Sequence, residues 1–151
     1  MKSDVEVQAA ELLDIDNQTI LLNRVAEITD QRVLHLLGRG YNWDDGFAVP
    51  EAIINNPNCC LSTALELFYL ADGVRYLKDK LDVEKSALEP WKCFITRLYT
   101  QIIQGRFKRI GIGFTPPLNK VEIYKLKKSL EPSEYIFIEA IEGENLTGVS
   151  L

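Results

Sequence analysis

A chain of 151 residues has the length of one ordinary domain, enough to bury about 70% of the surface its unfolded form exposes. With 46% hydrophobic, 26% charged and 9% aromatic residues, its composition excludes disordered, collagenous and low-complexity classes and points to one packed core spanning residues 1–151 as a single domain. No uninterrupted apolar run reaches membrane-spanning length, the opening MKSDVEVQAA has acids where a signal peptide needs an apolar stretch, and Cys59, Cys60 and Cys93 suit a reducing compartment. The expected location is cytoplasmic.

The net charge of −5 conceals three blocks. Residues 1–72 hold 12 acids against 4 bases, residues 73–128 hold 5 against 13, and residues 129–151 hold 5 against none. An acidic block of that size can steer a basic partner. Equally, folding can set the blocks side by side and cancel them as solvated surface.

From Ser3 onward, Val5, Ala9, Leu12 and Leu13 fall at helical spacing, with Ser3 as N-cap and Glu6 as its capping-box partner. A second helix follows Asp16 and Asn17 and carries Ile20, Leu21, Val25 and Ile28; Thr29 or Asp30 caps a third that ends at Gly38 and Gly40. Tyr41 to Val49 concentrates Asn, Asp and Gly and reads as a loop, after which Pro50 opens a short helix through Ile54 that closes over Asn55 to Asn58. Leu61, Ala64, Leu65 and Phe68 predict a helix over 61–71, Val74, Leu77 and Leu81 renew the pattern, and the longest helix is expected from about Pro90 to Gln104, stopped by Gly105.

Beyond Gly105 the period changes. Ile110, Ile112 and Phe114 alternate with glycines, and Tyr135 to Ile141 is rich in aromatic and β-branched residues, so a small C-terminal β element is expected. Helix and strand both remain open for residues 118–130, and the chain after Gly143 is expected to fray. The expected fold class is α+β, predominantly α: an antiparallel bundle of five to seven helices with that β element.

No constellation names a reaction, so the chain reads as non-enzymatic, with no catalytic residues assigned. His35, the sole histidine, lies between leucines, where a structural imidazole is the ordinary reading. The cysteines lack the spacing of a zinc site, Gly111 and Gly113 lack the rest of a dinucleotide fingerprint, and no P-loop lysine occurs; neither metal nor cofactor is expected. Arg106, Lys108, Arg109 and Lys120, Lys125, Lys127, Lys128, with Phe107 and Tyr124 interleaved, could track a nucleic acid, but the acidic balance of the chain argues against it. Asp44 and Asp45 form the most suggestive acidic pair. They could bind a cation or act as acid and base; alternatively one accepts backbone N–H bonds in an Asx-turn while Gly46 takes a left-handed conformation and Trp43 packs inward.

Tyr41-Asn42-Trp43-Asp44-Asp45-Gly46, then Pro50, then Asn56-Pro57-Asn58-Cys59, then Thr63-Ala64-Leu65 with Leu67 and Phe68 together resemble the core of a bacterial domain-of-unknown-function family, over about residues 30–80. The resemblance implies a small, soluble, mostly helical bacterial protein with no agreed activity. Where the family has a polar or acidic residue after the cysteine, this chain has Cys60. In physical terms the motif reads as a hinge between antiparallel helices: one helix ends at Gly40, an aromatic turn crosses over, Pro50 restarts a helix and Asn58 caps the next.

The expected function is binding of another protein, in its sharper form as an immunity-type inhibitor of a basic toxin, with Tyr41, Trp43, Asp44 and Asp45 as binding residues. One alternative is an enzyme or small-ligand-binding protein built on Asp44 and Asp45. Another is a homo-oligomeric scaffold using the stripe from Leu88 to Ile102.

Overall fold

In the computed structural model, which describes residues 3–146, helix caps written in the sequence set most of the elements. Ser3 accepts from the Glu6 amide at 3.3 Å and opens α1 (Asp4–Leu13); Asn17 accepts from Ile20 at 3.0 Å and opens α2 (Gln18–Glu27); Asp30 accepts from Arg32 and opens α3 (Gln31–Gly40). Each side chain satisfies an amide that a helix start leaves without a partner. A 3₁₀ turn, Trp43–Asp45, leads into α4 (Ala48–Asn55) and then α5 (Leu61–Leu70). The renewed pattern after Gly73 is split at Asp79 into α6 (Val74–Lys78) and α7 (Lys80–Glu84), because the Asp79 side chain caps the second piece. The longest helix, α8 (Glu89–Ile103), stops one residue before a Gln104–Gly105 exit in which Gly105 has φ of 73°. The open stretch 118–130 is helical: α9 (Lys120–Ser129) starts from an Asn119–Glu122 capping box.

The α+β expectation is overturned. Among the described residues there is no β-sheet, only three isolated bridges, and the fold is all-α, with nine α-helices and two 3₁₀ segments. Ile112 and Phe114 do turn inward as the alternation implied, but they bridge only to Glu144 and Ile141. Tyr135–Ile141 cannot supply a strand because Pro132–Phe137 is wound into a 3₁₀ helix, started by Pro132 and locked by Glu134. That carboxylate is 4% exposed; it takes the Tyr99 hydroxyl at 2.6 Å, the Lys80 ammonium at 2.7 Å and the Glu131 amide at 2.9 Å. Burial alone pushes its carboxyl up, yet these donors outweigh burial and hold it below the usual range. The expected fraying after Gly143 meets a contact instead: Gly113 donates to Glu144 and Glu144 donates to Gly111. Residues 147–151, also covered by that expectation, lie outside the described residues.

The layers follow from the packing of consecutive faces. α1 lies on α3, α2 on α4, α3 on α5, and α5 on α8, with the Pro132–Phe137 segment against α8 and α9 against α6. Gly38 permits the α3–α5 approach, since a Cβ there would sit 2.7 Å from Leu67 Cδ2. Phe68, Leu65, Leu98, Ile95 and Phe137 fill the main core; a separate small cluster of Val5, Ala9, Val33 and Leu36 holds α1.

The Asn56-Pro57-Asn58 motif has a structural task different from the expected helix cap. The N-cap of α5 is Cys60, without a side-chain cap, whereas Asn58 donates to Ile28 O at 3.2 Å. Asn56, 4% exposed, donates to Val25 O at 2.8 Å and Ile28 O at 2.9 Å and accepts from the Asn58 amide at 2.8 Å. It therefore fastens the C-terminal carbonyls of α2 to the α4–α5 turn. Replacing Asn56 with Ala leaves Val25 O with the Ile28 amide alone and Ile28 O with Asn58 alone and strands the Asn58 amide, and urea unfolding should show a loss of about 2 kcal/mol.

Candidate functional site

The turn that carries Tyr41, Trp43, Asp44 and Asp45 is built by Asn42. Its side chain accepts from the Asp44 amide at 3.1 Å and its carbonyl accepts from the Asp45 amide at 3.0 Å, so the Asx-turn belongs to Asn42 and to neither aspartate. Gly46 leaves the turn with φ of 99° and ψ of −166°, a conformation in which a side chain is strained. Trp43 is wedged between Tyr41, Phe47 and Phe94, with ring centroids 6.3, 5.9 and 5.7 Å away. Its indole N–H is sealed from water and has no acceptor among the described residues.

Asp44 and Asp45 are left exposed, with no hydrogen-bond partner for either carboxylate among the described residues. The structure separates the four residues by task. Tyr41 and Asp45 line a cleft of about 510 Å³ between the turn and the α1–α2 connection, and Asp16 lines it from the other side. Burial, and then the nearby Asp45 charge, raise the Tyr41 hydroxyl above its ordinary value. Trp43 supports the turn from within, and Asp44 is exposed and not part of the cleft lining. Asp16 was not a sequence candidate: it joins Asp45 only because α1 and α2 fold back on α3 and α4. No group of three or more ligating side chains that could hold a metal occurs among the described residues, so the cation reading of Asp44 and Asp45 gains no third ligand.

A second groove, of about 340 Å³, runs between α1 and α2 and is lined by Glu11, Glu27 and Asp30; Ile15 belongs to both clefts. Acids from five segments thus border one connected surface, with Arg24 of α2 the one base in its lining. Folding does not cancel the charge blocks by pairing them. The ion pairs are Asp30–Arg32 and Glu66–Arg39 inside the acidic block, Arg75–Asp82 and Glu89–Lys92 inside the basic block, and Lys80–Glu134 toward the third. Among the described residues none joins residues 1–72 to residues 73–128.

His35 lies elsewhere. It is 2% exposed, its Nδ1 is 2.9 Å from Thr63 Oγ1, and burial, followed by the Arg39 charge, lowers its pKa to about 4. Cys59 and Cys60 are buried and Cys93 is exposed, and they form no group of three ligating side chains with it among the described residues.

These placements fix the effects of substitution. Asp44→Ala or Asp45→Ala should change unfolding free energy by less than about 0.5 kcal/mol, Asn42→Ala should lose about 1 kcal/mol and Gly46→Ala about 2 kcal/mol, all read by urea titration. His35 takes up a proton more readily unfolded than folded. Its contribution is complete above pH 6.5 and is lost as pH falls toward 4; the difference between wild type and His35→Gln should shrink over that window by roughly 3 kcal/mol.

None of the described helices is long and apolar enough to cross a membrane. No curated protein and no solved structure matches the chain. Residues 29–103, from the residue before the α3 cap to the last residue of α8, are similar to a family described as a domain of unknown function (DUF4274).

Proposed function

We propose that this chain binds a basic protein partner through the acidic surface formed by α1, α2 and the Trp43–Asp45 turn. The observation that carries the reading is the charge separation: Glu11, Glu27, Asp16 and Asp45 border two adjoining clefts against the one base Arg24, and no described ion pair links their block to the basic one. A surface with acids in excess speeds encounter with a basic one and makes binding sensitive to salt. The cleft between Asp16 and Asp45 has room for a lysine or arginine side chain of the partner, with the Tyr41 hydroxyl at its wall. Asp44 adds charge at the rim, and Trp43 holds the turn in place. In its sharper form the reading is that of an immunity-type inhibitor, whose carboxylates occupy the phosphate-binding surface of a basic toxin.

The test compares the wild-type chain with the Glu11→Gln, Asp16→Asn, Glu27→Gln, Asp45→Asn variant, which neutralises the acids that line the two clefts, in pull-downs from the source lysate. The expected result is one stoichiometric basic protein at low salt, released at moderate salt, and associating with the variant at least about tenfold more slowly at an unchanged melting temperature. Equal capture by the variant, or no stoichiometric partner at either salt, overturns the proposal.

A further inference from the structure

A cleft of about 490 Å³ on the other face of α3 has no part in the acidic surface. His35 and Arg39 from α3, Glu66 from α5, and the 113–115 and 141–143 segments line it. Its volume falls in the range of small-molecule sites, and its wall holds three polar side chains with unspent bonding capacity. His35 lines the cleft; its Nδ1 is engaged by Thr63, and its Nε2 has no partner among the described residues. Arg39 Nη1 donates to Glu66 Oε1 at 2.9 Å, which leaves the rest of the guanidinium fork and Glu66 Oε2 unpartnered among the described residues.

We propose that this cleft binds a small zwitterion of the α-amino-acid class, its carboxylate on Arg39 and His35 Nε2 and its ammonium on Glu66. The charge pattern selects this class. His35 is neutral at physiological pH, so the built charges are one guanidinium and one carboxylate, with Glu142 exposed at the rim. A simple anion meets the repulsion of Glu66 and a simple cation that of Arg39, whereas a molecule carrying both charges matches both without breaking the existing pair. Cys60 Sγ lies 3.4 Å from Thr63 Oγ1. In the tautomer where the thiol donates to Thr63 and the Thr63 hydroxyl donates to Nδ1, the imidazole proton sits on Nε2 as a donor toward a carboxylate, and this is the tautomer the bound state requires. Burial pushes the Glu66 carboxyl up against the pull of Arg39, so an added ammonium would favour its ionised form.

The sole histidine gives a direct probe, because its two ring C–H signals, from Cδ2 and Cε1, are the only imidazole signals in a proton–carbon NMR spectrum. The common α-amino acids are added one at a time to the whole chain, and acetate and methylammonium are added separately as single-charge fragments. At least one amino acid should shift the His35 signals saturably, and neither fragment should do so at the same concentration. Arg39→Gln and Glu66→Gln should abolish the shift with spectral dispersion retained. Arg39→Lys, which keeps the charge and the fold but removes the fork, should weaken binding by about tenfold. A response to methylammonium equal to that of the best amino acid, an undiminished response in Arg39→Lys, or no response to any amino acid overturns the proposal. Since the acidic-face variant leaves this cleft intact, the two readings fail separately.

Discussion

One carboxamide governs the register of the central helices. A helix end leaves its last carbonyls without intrahelical donors, and the end of α2 points into protein, where water cannot reach all of them. The Asn56 amide takes two of these carbonyls, and its own carbonyl oxygen receives the Asn58 amide, so α2, α4 and the start of α5 are set relative to one another at a single point. Once α2 is fixed on α4, α3 is enclosed between α1 and α5, and the glycine at 38 lets it come close to Leu67. The clefts beside the Trp43–Asp45 turn and beside His35 are the two exposed margins of this enclosed helix.

The helical part of this arrangement was legible because its signals are local. Ser3, Asn17 and Asp30 are caps that can be read without knowing any neighbour, and the apolar spacing from Leu61 and from Trp91 reports one buried face each. The β expectation failed for the opposite reason. Ile110, Ile112 and Phe114 have the period of a strand, but a strand needs a partner of matching extended length. The segment 135–141 is claimed instead by Glu134, whose donors come from α7 and α8. Nothing within a window around Tyr135 announces Lys80 or Tyr99. The candidate site divides in the same way: the exposed aspartates and the special glycine were visible, but Asn42 as the turn's organiser and Asp16 as the far wall depend on hydrogen bonds and on the fold-back of α1 and α2.

Net charge proved a poor descriptor of this chain. A sum of −5 would suit a surface with acids and bases interspersed, in which each long side chain finds a nearby opposite and fields die away within a Debye length. Here the pairs form within blocks or toward the short C-terminal acidic block, so the two large fields persist side by side. Even the buried Glu134 takes its cation from the basic block, which leaves the N-terminal acids uncompensated by it.

The division of the apolar interior into two clusters bears on how the molecule comes apart. α1 is attached through Val5 and Ala9 against Val33 and Leu36, and only its partly buried Leu12 and Leu13 reach the large core around Phe68 and Leu98. A helix of ten residues has little stability alone, so its opening need not disturb the rest. The amide hydrogens of α1 would then exchange through a local opening, while those of α5 wait for global unfolding. The same independence makes α1 the element able to shift on an encounter at low energetic cost, carrying Glu11 and Asp14 with it.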